Sequence, residues 1–366
     1  MKIAIVSPYS WAHPGGVNNH VEGLSRELAR RGHEVTVLAP DTGVRIDGTS
    51  FVSAGHSFPV PANGSIAHLA LLPGAGSRLI KTLGEGAFDV VHVHEPMVPF
   101  VSTSAVMGAP RRVVGTFHAA GEGRSLPYAL ARAFFRKVHA RLDCLIAVSE
   151  PARLLASRYF PGDYRVIPNG VDLARFAPGG RRPRCFPGGE GPVVLFVGRN
   201  EPRKGISVLL EAFPAVARAV PDCRLVVVGA GFEEGKVKRS VTDGLRDRVT
   251  VVGFVGNEEL PAYYSAADVF CAPALGGESF GVVLIEANAS GTAVVASDIP
   301  GYSAVIEQTG GGVLFKNGDA ENLAESLVDL LGDFAKRRGL AASGLEHVKE
   351  FSWERLVERL EAAYSG

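Results

Sequence analysis

Two glutamates eight positions apart, Glu278 and Glu286, lie in the run Gly276-Gly277-Glu278-Ser279-Phe280-Gly281-Val282-Val283-Leu284-Ile285-Glu286, between a strand-like and a helix-like segment. The glycines let backbone approach a ligand closely. The N–H groups from about Phe280 onward, through Gly281 and Val282, form a helix N-terminus suited to an anion. Glu278, on the loop, can accept hydrogen bonds from sugar hydroxyls, and Glu286 from a ribose. The plain alternative makes Glu278 a partner of the helix dipole and Glu286 a solvated helix residue. Upstream, Gly198-Arg199-Asn200-Glu201-Pro202-Arg203-Lys204-Gly205 follows a strand-like run. There Arg199 offers a planar fork and Lys204 a mobile point charge, a sensible pair for a diphosphate leaving group. A solvated basic loop is the plain alternative.

Three further constellations stand in the N-terminal half. Pro14-Gly15-Gly16 precedes a helical pattern and reads either as a close-approach loop or as a simple turn. His92-x-His94-Glu95 puts two imidazoles on one face of a strand, and His118 ends the next strand. These three histidines could form a metal site or a polar floor without metal. A zinc hydrolase would need further ligands at later strand ends, and the one histidine after His139 is His347. His92 reads as buried packing, and no metal site is expected. Last, residues 111–141 carry seven Lys/Arg against a single acid, Glu122. On a helix, Leu130, Phe134, Val138 and Leu142 form one stripe, with Phe135 beside it. The stretch 124–141 could lie on an anionic membrane or pack on a sheet with its basic face in water.

The elements that must position these residues alternate β and α. Strands are expected at 2–7, 34–39, 89–94, 112–118, 144–149 and 164–167, and helical periodicity runs over 18–31 with Gly32 as a cap. After a Gly/Pro/Arg-rich stretch at 177–191, read as a linker, the alternation restarts. Strands follow at 193–197, 224–228, 249–252, 269–272 and 293–296, with helices at 206–220 and 281–289 among others. The nearly continuous apolar strands suit parallel sheets covered on both faces. The expected fold is α/β: two Rossmann-like domains, 1–176 and 192–350, facing across a cleft, with ligands at the carboxyl ends of the strands. The segment 351–366 ends the chain as an amphipathic helix. Neither a GxGxxG after the first strand nor a Walker loop is present, so dinucleotide-linked dehydrogenases and P-loop phosphotransferases lose ground.

Composition narrows the classes further. The chain has 366 residues, 46% of them hydrophobic, with 38 Lys/Arg against 38 Asp/Glu, which argues against a nucleic-acid partner. The zero balance is a cancellation: residues 1–171 hold 17 basic and 12 acidic side chains, so the second half is acidic. Cysteines 144, 185, 223 and 271 share no close spacing, and no disulfide framework or zinc knuckle follows. The apolar run at 3–6 is too short for a signal-peptide core. No stretch approaches the roughly 18 apolar residues of a membrane span. The expected location is cytoplasmic, peripheral at the inner face of the plasma membrane. Nothing in the sequence speaks to oligomeric state.

Together these segments resemble the retaining GT-B glycosyltransferases of family 4, whose E-x7-E signature matches Glu278 and Glu286 and whose phosphate-binding pair matches Arg199 and Lys204. Within that family the branch that adds mannose to phosphatidylinositol in actinobacteria is most similar, nearly end to end. The similarity runs through Ser7-Pro8-Tyr9-Ser10, Pro14-Gly15-Gly16-Val17, Pro61-Ala62-Asn63-Gly64-Ser65, residues 88–96, Thr116-Phe117-His118, Pro168-Asn169-Gly170-Val171-Asp172, 201–205 and 271–287.

The resemblance implies that Glu278 and the backbone after it hold the donor sugar and Glu286 the ribose. It implies that Arg199 and Lys204 neutralise the diphosphate, with Gly16 approaching it from the first domain. It places Val255 near the base, His118 near the sugar or the acceptor's phosphate, and Tyr9 and Asn63 on the acceptor side. The C-terminal helix is implied to cross back to the first domain. The implied donor is a nucleotide sugar, GDP-mannose first and a UDP-sugar such as UDP-GlcNAc or UDP-glucose second. The implied acceptor is phosphatidyl-myo-inositol or another lipid on an anionic membrane. No obligatory cofactor is implied, and Mg2+ enters as a stimulant without a site. On the acceptor side the chain departs from the branch: Ala119 and Ala120 replace two hydroxyl residues, His68 stands for Arg, and Met97 for Asn. A metal-dependent hydrolase built on His92, His94 and His118 is the alternative from another class.

Overall fold

In the computed structural model the inner strands of the two large sheets are buried on both faces while the edge strands are half-buried, and the side-chain alternation of the inner strands sorts the core accordingly. The structure describes residues 1–13, 15–41, 46–62, 65–70, 73–121, 132–189 and 191–366. They divide into two units, Met1–Gly170 with Trp353–Gly366, and Val171–Ser352.

Unit 1 contains strands β1 (Lys2–Val6), β2 (Glu34–Ala39), β3 (Thr49–Ser53), β4 (Phe58–Ala62), β5 (Ser65–Leu69), β6 (Val90–His94), β7 (Arg112–Phe117), β8 (Cys144–Ala147) and β9 (Tyr164–Val166). Its helices are α1 (Gly16–Arg30), α2 (Pro73–Glu85), α3 (Val101–Gly108), α4 (Arg132–His139) and α5 (Glu150–Tyr159). The strands other than β4 and β5 form one parallel sheet in the order β3-β2-β1-β6-β7-β8-β9, and β4 and β5 make a separate antiparallel pair. On β1, Ile3 and Ile5 face a core that α1 completes through Val21, Leu24 and Leu28, while Ala4 and Val6 face the core that holds Leu79, Val101 and Ala152. Period 2 in the strands therefore assigns each helix to one face.

Unit 2 repeats the plan with β10 (Val193–Val197), β11 (Arg224–Val228), β12 (Val249–Gly253), β13 (Val269–Ala272), β14 (Ala293–Ser297) and β15 (Gly312–Phe315), ordered β12-β11-β10-β13-β14-β15. Its helices are α6 (Ile206–Ala219), α7 (Glu234–Arg239), α8 (Leu260–Ala266), α9 (Val282–Ala289), α10 (Pro300–Thr309), α11 (Ala320–Gly332) and α12 (Phe334–His347). Strand order reverses between β1 and β6 in unit 1 and between β10 and β13 in unit 2. In open parallel sheets the ligand crevice lies outside the strand ends at that reversal.

The boundaries differ from the sequence reading. Residues 171–176 belong to unit 2, and the stretch read as the linker 177–191 is part of that unit too. Its aromatic anchors explain this: Phe176 and Phe186 are buried among Tyr263, Tyr264 and the β10–β13 core. Irregular backbone, read as a linker, is here a strap held down by two phenyl rings. The helical stripe at 130–142 holds in part, since Val138 and Leu142 pack on the unit 1 core. Phe135 and Val138 enter the unit 1 core, whereas Phe134 is exposed, and Leu130 lies outside the described residues.

The last helix, α13 (Trp353–Ser365), belongs to unit 1 and packs on α1. Leu356, Val357 and Leu360 join the core of Val21 and Leu24. Arg31 bonds Glu358 and Glu361 at 3.1 Å each and the Glu354 carbonyl at 2.6 Å. The indole of Trp353 fills a slot made by two missing side chains, since a Cβ at Gly23 or Gly170 would collide with its ring. We expect Gly170→Ala to destabilise unit 1 by about 1–3 kcal/mol through overpacking. A urea-unfolding midpoint equal to that of the parent protein would contradict this.

Candidate functional site

Unit 2 gathers charge where β10 and β13 end. The loop after β13 carries Glu278, which is 13% exposed and accepts Lys204 Nζ at 2.7 Å. Arg203 also bonds Glu278, and its other nitrogen reaches Glu201 at 2.8 Å. Arg199, 47% exposed, pairs with Glu201 at 3.0 Å rather than with Glu278. Of the expected cation pair, then, the structure brings Lys204 to Glu278 and leaves Arg199 one step away; Arg203 takes the inner place. The sequence signal was present in Arg203-Lys204 as neighbours, but neighbouring residues point apart on a strand or helix. Here a short 3-10 turn at Pro202–Lys204 turns both inward. Three cations against two carboxylates leave one positive charge, which suits an anionic ligand.

The same loop sets the entrance of α9. Gly281 caps it in a left-handed conformation (φ +100°), and a Cβ there would stand 2.6 Å from the Tyr302 ring. Phe280 is buried against Phe351, so the backbone after Glu278 is anchored from below. Glu286, one helical face further on, is 7% exposed and accepts a hydrogen bond from the Tyr264 hydroxyl at 2.9 Å. That excludes the solvated-helix alternative. Burial pushes its carboxyl up to about 7, against the opposing hydrogen bond and the charges of Arg175 and Lys204. Val255 is half-buried beside the exposed Phe254, and Val282 is half-buried at the first turn of α9.

Unit 1 gathers imidazoles. His92 and His94 stack at 4.4 Å between ring centres. His92 Nδ1 meets the Tyr364 hydroxyl at 2.8 Å and its Nε2 meets Thr116 Oγ1 at 2.7 Å, which ties the sheet floor to α13. His94 Nδ1 lies 2.8 Å from His118 Nε2. His20, on α1, joins them from above, with its Nδ1 2.8 Å from Asn169 Oδ1. The sequence reading missed His20, although period 3.6 sets it on the same face as Leu24, toward the sheet. Burial holds His20 near 4 and His92 near 3, and pushes His94 and His118 well below the ordinary histidine range, so all four rings are neutral at pH 7. Glu95 is buried and accepts the backbone N–H groups of His118 and Ala119, both at 2.7 Å.

The three rings whose ligand atoms converge, all within 4.8 Å of one another, are His20, His94 and His118, not the set with His92. The 2.8 Å approach of two of their nitrogens is a hydrogen-bond length. Two nitrogens on one tetrahedral zinc, at Zn–N of about 2.0–2.1 Å, would stand about 3.3 Å apart. The donor set therefore fits hydrogen bonding better than a metal.

Tyr9 is half-buried beyond the end of β1, with its backbone bridged to Leu69; burial and the nearby Glu95 raise its phenol. Gly16 opens α1, and a Cβ placed on it or on Gly15 meets nothing within 4 Å among the described residues. Asn63, Pro14 and residues 122–131 of the basic stretch lie outside the described residues. His68 stacks on His13 at 3.6 Å, and Met97 is buried in the core.

Residues 14–175 match the profile described as Glycosyltransferase Family 4, and residues 191–333 that of Glycosyl transferases group 1. The chain belongs to the family 4 glycosyltransferases. Over its whole length it is 39% identical to the phosphatidyl-myo-inositol mannosyltransferase of Mycolicibacterium smegmatis, covering 93% of that protein. It is 36% identical to the protein of that name from Propionibacterium freudenreichii, covering 95% of it. Among solved structures it resembles a sucrose-phosphate synthase from Thermosynechococcus elongatus, with a TM-score of 0.79, 26% identity and coverage of 100% and 98% of the two chains. The fold of this glycosyltransferase is GT-B.

Two outcomes test the geometry. Because no atom of the described residues lies within 4 Å of a Cβ at Gly16, Gly16→Ala should leave stability within about 0.5 kcal/mol. It should nevertheless lower glycosyl transfer tenfold or more, as read by denaturant unfolding beside a turnover assay. For Glu286, the folded carboxyl titrates above its ordinary value of 4.5, so the folded state takes up this proton first. The cost of the buried charge is absent below about 4.5 and complete above about 7, and this group's contribution to stability falls as pH rises between them. Glu286→Gln should flatten that part of the stability–pH curve; an unchanged slope between pH 5 and 8 would count against the assignment.

Proposed function

We propose that this glycosyltransferase moves mannose from GDP-mannose to a phosphatidyl-myo-inositol acceptor, with retention of configuration, at the inner face of a membrane. The names of its relatives support the acceptor and sugar. A further relative, 28% identical over 94% of this chain, is called a GDP-mannose-dependent phosphatidylinositol monomannoside mannosyltransferase. The observation that carries the reading is Glu278 held by Lys204 and Arg203 at the end of β13, with Glu286 buried eight residues on.

In this reading unit 2 holds the donor. Glu278 and the backbone N–H groups of Phe280, Gly281 and Val282 bind the sugar and diphosphate, Glu286 the ribose, and Val255 lies by the base. When the diphosphate arrives, Lys204, Arg203 and Arg199 exchange carboxylate partners for phosphate oxygens. Charge building on the leaving group is then met by fixed cations and the helix N-terminus, which is the larger part of catalysis in such transfers. No metal is required for this step, and Mg2+ acts as a stimulant. Glu278 binds sugar hydroxyls in this reading and does not act as a covalent nucleophile, so we favour a front-face path through an oxocarbenium-like state.

Unit 1 supplies the acceptor side through Tyr9, Asn63 and His118, with Gly16 leaving room for a ligand at the start of α1. Exposed Phe134, Arg136 and Lys137 on α4 suit contact with an anionic lipid surface. Among the described residues no helix is long and apolar enough to cross a membrane.

The deciding measurement is transfer of label from GDP-mannose to phosphatidylinositol liposomes, with a UDP-sugar control. Glu278→Ala should lose at least a hundredfold in turnover, about 2.7 kcal/mol of transition-state stabilisation, while its circular dichroism stays that of the parent. Near-normal turnover in that variant, or equal transfer from a UDP-sugar, would overturn the reading.

A further inference from the structure

The contact between His94 and His118 carries more information than its length. A neutral imidazole has one N–H and one bare nitrogen, so across 2.8 Å one ring donates and the other accepts. Burial keeps both rings neutral at pH 7. Two arrangements remain.

If His118 Nε2 donated, the proton of His94 would have to sit on its own Nε2. That atom is fully buried and has no hydrogen-bond partner among the described residues. No described residue is placed to accept from it. His92 stacks on the His94 ring at an inclination of 29° and already spends both nitrogens on Tyr364 and Thr116. His20 turns its Nδ1 away to Asn169 Oδ1. A buried N–H without an acceptor is the rarer orphan in proteins and incurs the full desolvation cost of a donor. If His94 Nδ1 donates instead, the orphan is only a bare lone pair on Nε2. The proton of His118 then sits on Nδ1, the nitrogen that has no partner among the described residues, in a ring that is 8% exposed.

We propose that His94 is a positioning residue that locks His118 in the Nδ1–H tautomer, so that His118 meets its substrate as a hydrogen-bond donor and not as a general base. The ligand chemistry is an oxygen lone pair, either a phosphate oxygen of the acceptor or a sugar oxygen of the donor. This rests on the reading that His118 touches substrate. The tautomer itself is a property of the free protein and stands or falls separately.

The first test therefore uses the free, full-length protein with isotope-labelled histidine. Nitrogen NMR at pH 7 should show protonated Nδ1 and bare Nε2 for both His94 and His118. His118 protonated at Nε2, or zinc bound to these nitrogens in the purified protein, overturns the proposal. In His94→Phe, His118 should populate both tautomers; a His118 signature unchanged in that variant overturns the positioning role.

The second test uses substrate. An Asn amide places its N–H near the position of Nδ1, and a Gln amide near Nε2. His118→Asn should retain at least tenfold more transfer than His118→Gln. A gap in the apparent KM for phosphatidylinositol vesicles, with GDP-mannose affinity equal, assigns the oxygen to the acceptor. A gap in GDP-mannose affinity assigns it to the donor sugar. Equal losses in both variants, or Gln retaining more than Asn, overturn the donor role.

Discussion

A parallel strand buried on both faces has only its ends left for charge, and this constraint organises both units. Along β1, β10 and β13 the side chains alternate between two apolar cores, and on β6 one face is given to the neutral His92 and His94, so none of these strands holds an unpaired charge in mid-strand. The first positions where charge is affordable are the residues just past the carboxyl ends. There the chain places Glu95 and His118 in unit 1, and Arg199 to Lys204 and Glu278 in unit 2. Strand order reverses between β1 and β6 and between β10 and β13, which opens the space those residues face.

The two ends solve the burial of polar groups in opposite ways. Unit 2 keeps its charges and neutralises them against each other: Lys204 and Arg203 on Glu278, Arg203 and Arg199 on Glu201. Such a lattice can trade a carboxylate for a phosphate without leaving a bare ion. At its strand ends unit 1 gives up the charge of its imidazoles. His20, His92, His94 and His118 are driven neutral by burial and satisfied mostly by hydrogen bonds, and Glu95 spends its carboxylate on two backbone N–H groups. A neutral, rigid floor offers directed donors and acceptors where unit 2 offers fixed charge.

Unit 1 also depends on the end of the chain. The floor histidine His92 bonds Tyr364, and Arg112 donates to the Ala363 carbonyl at 3.2 and 3.0 Å. Trp353 anchors the helix through the space left by Gly23 and Gly170 and makes an edge contact with His20. The same helix that closes the α1 side of the core thus holds two of the four histidines in place.

By itself the sequence determined the α/β class, the parallel sheets and the loops that carry the chemistry. These rest on local features: continuous apolar runs, glycines before helices, and the spacing of Glu278 from Glu286. Even the shared face of His92 and His94 was legible, because a strand's period is two. What only the tertiary structure decided are relations between residues distant in sequence. The turn at Pro202–Lys204 chose Arg203 over Arg199 as the inner partner of Glu278. Two phenyl rings made a strap of residues that read as a linker. α1 brought His20 to His94 and His118, and the packing around His94 left one nitrogen without a partner. Spacing along a chain specifies which way a side chain leaves its own backbone. Which group it meets there depends on how separate elements pack, and that is a property of the folded chain.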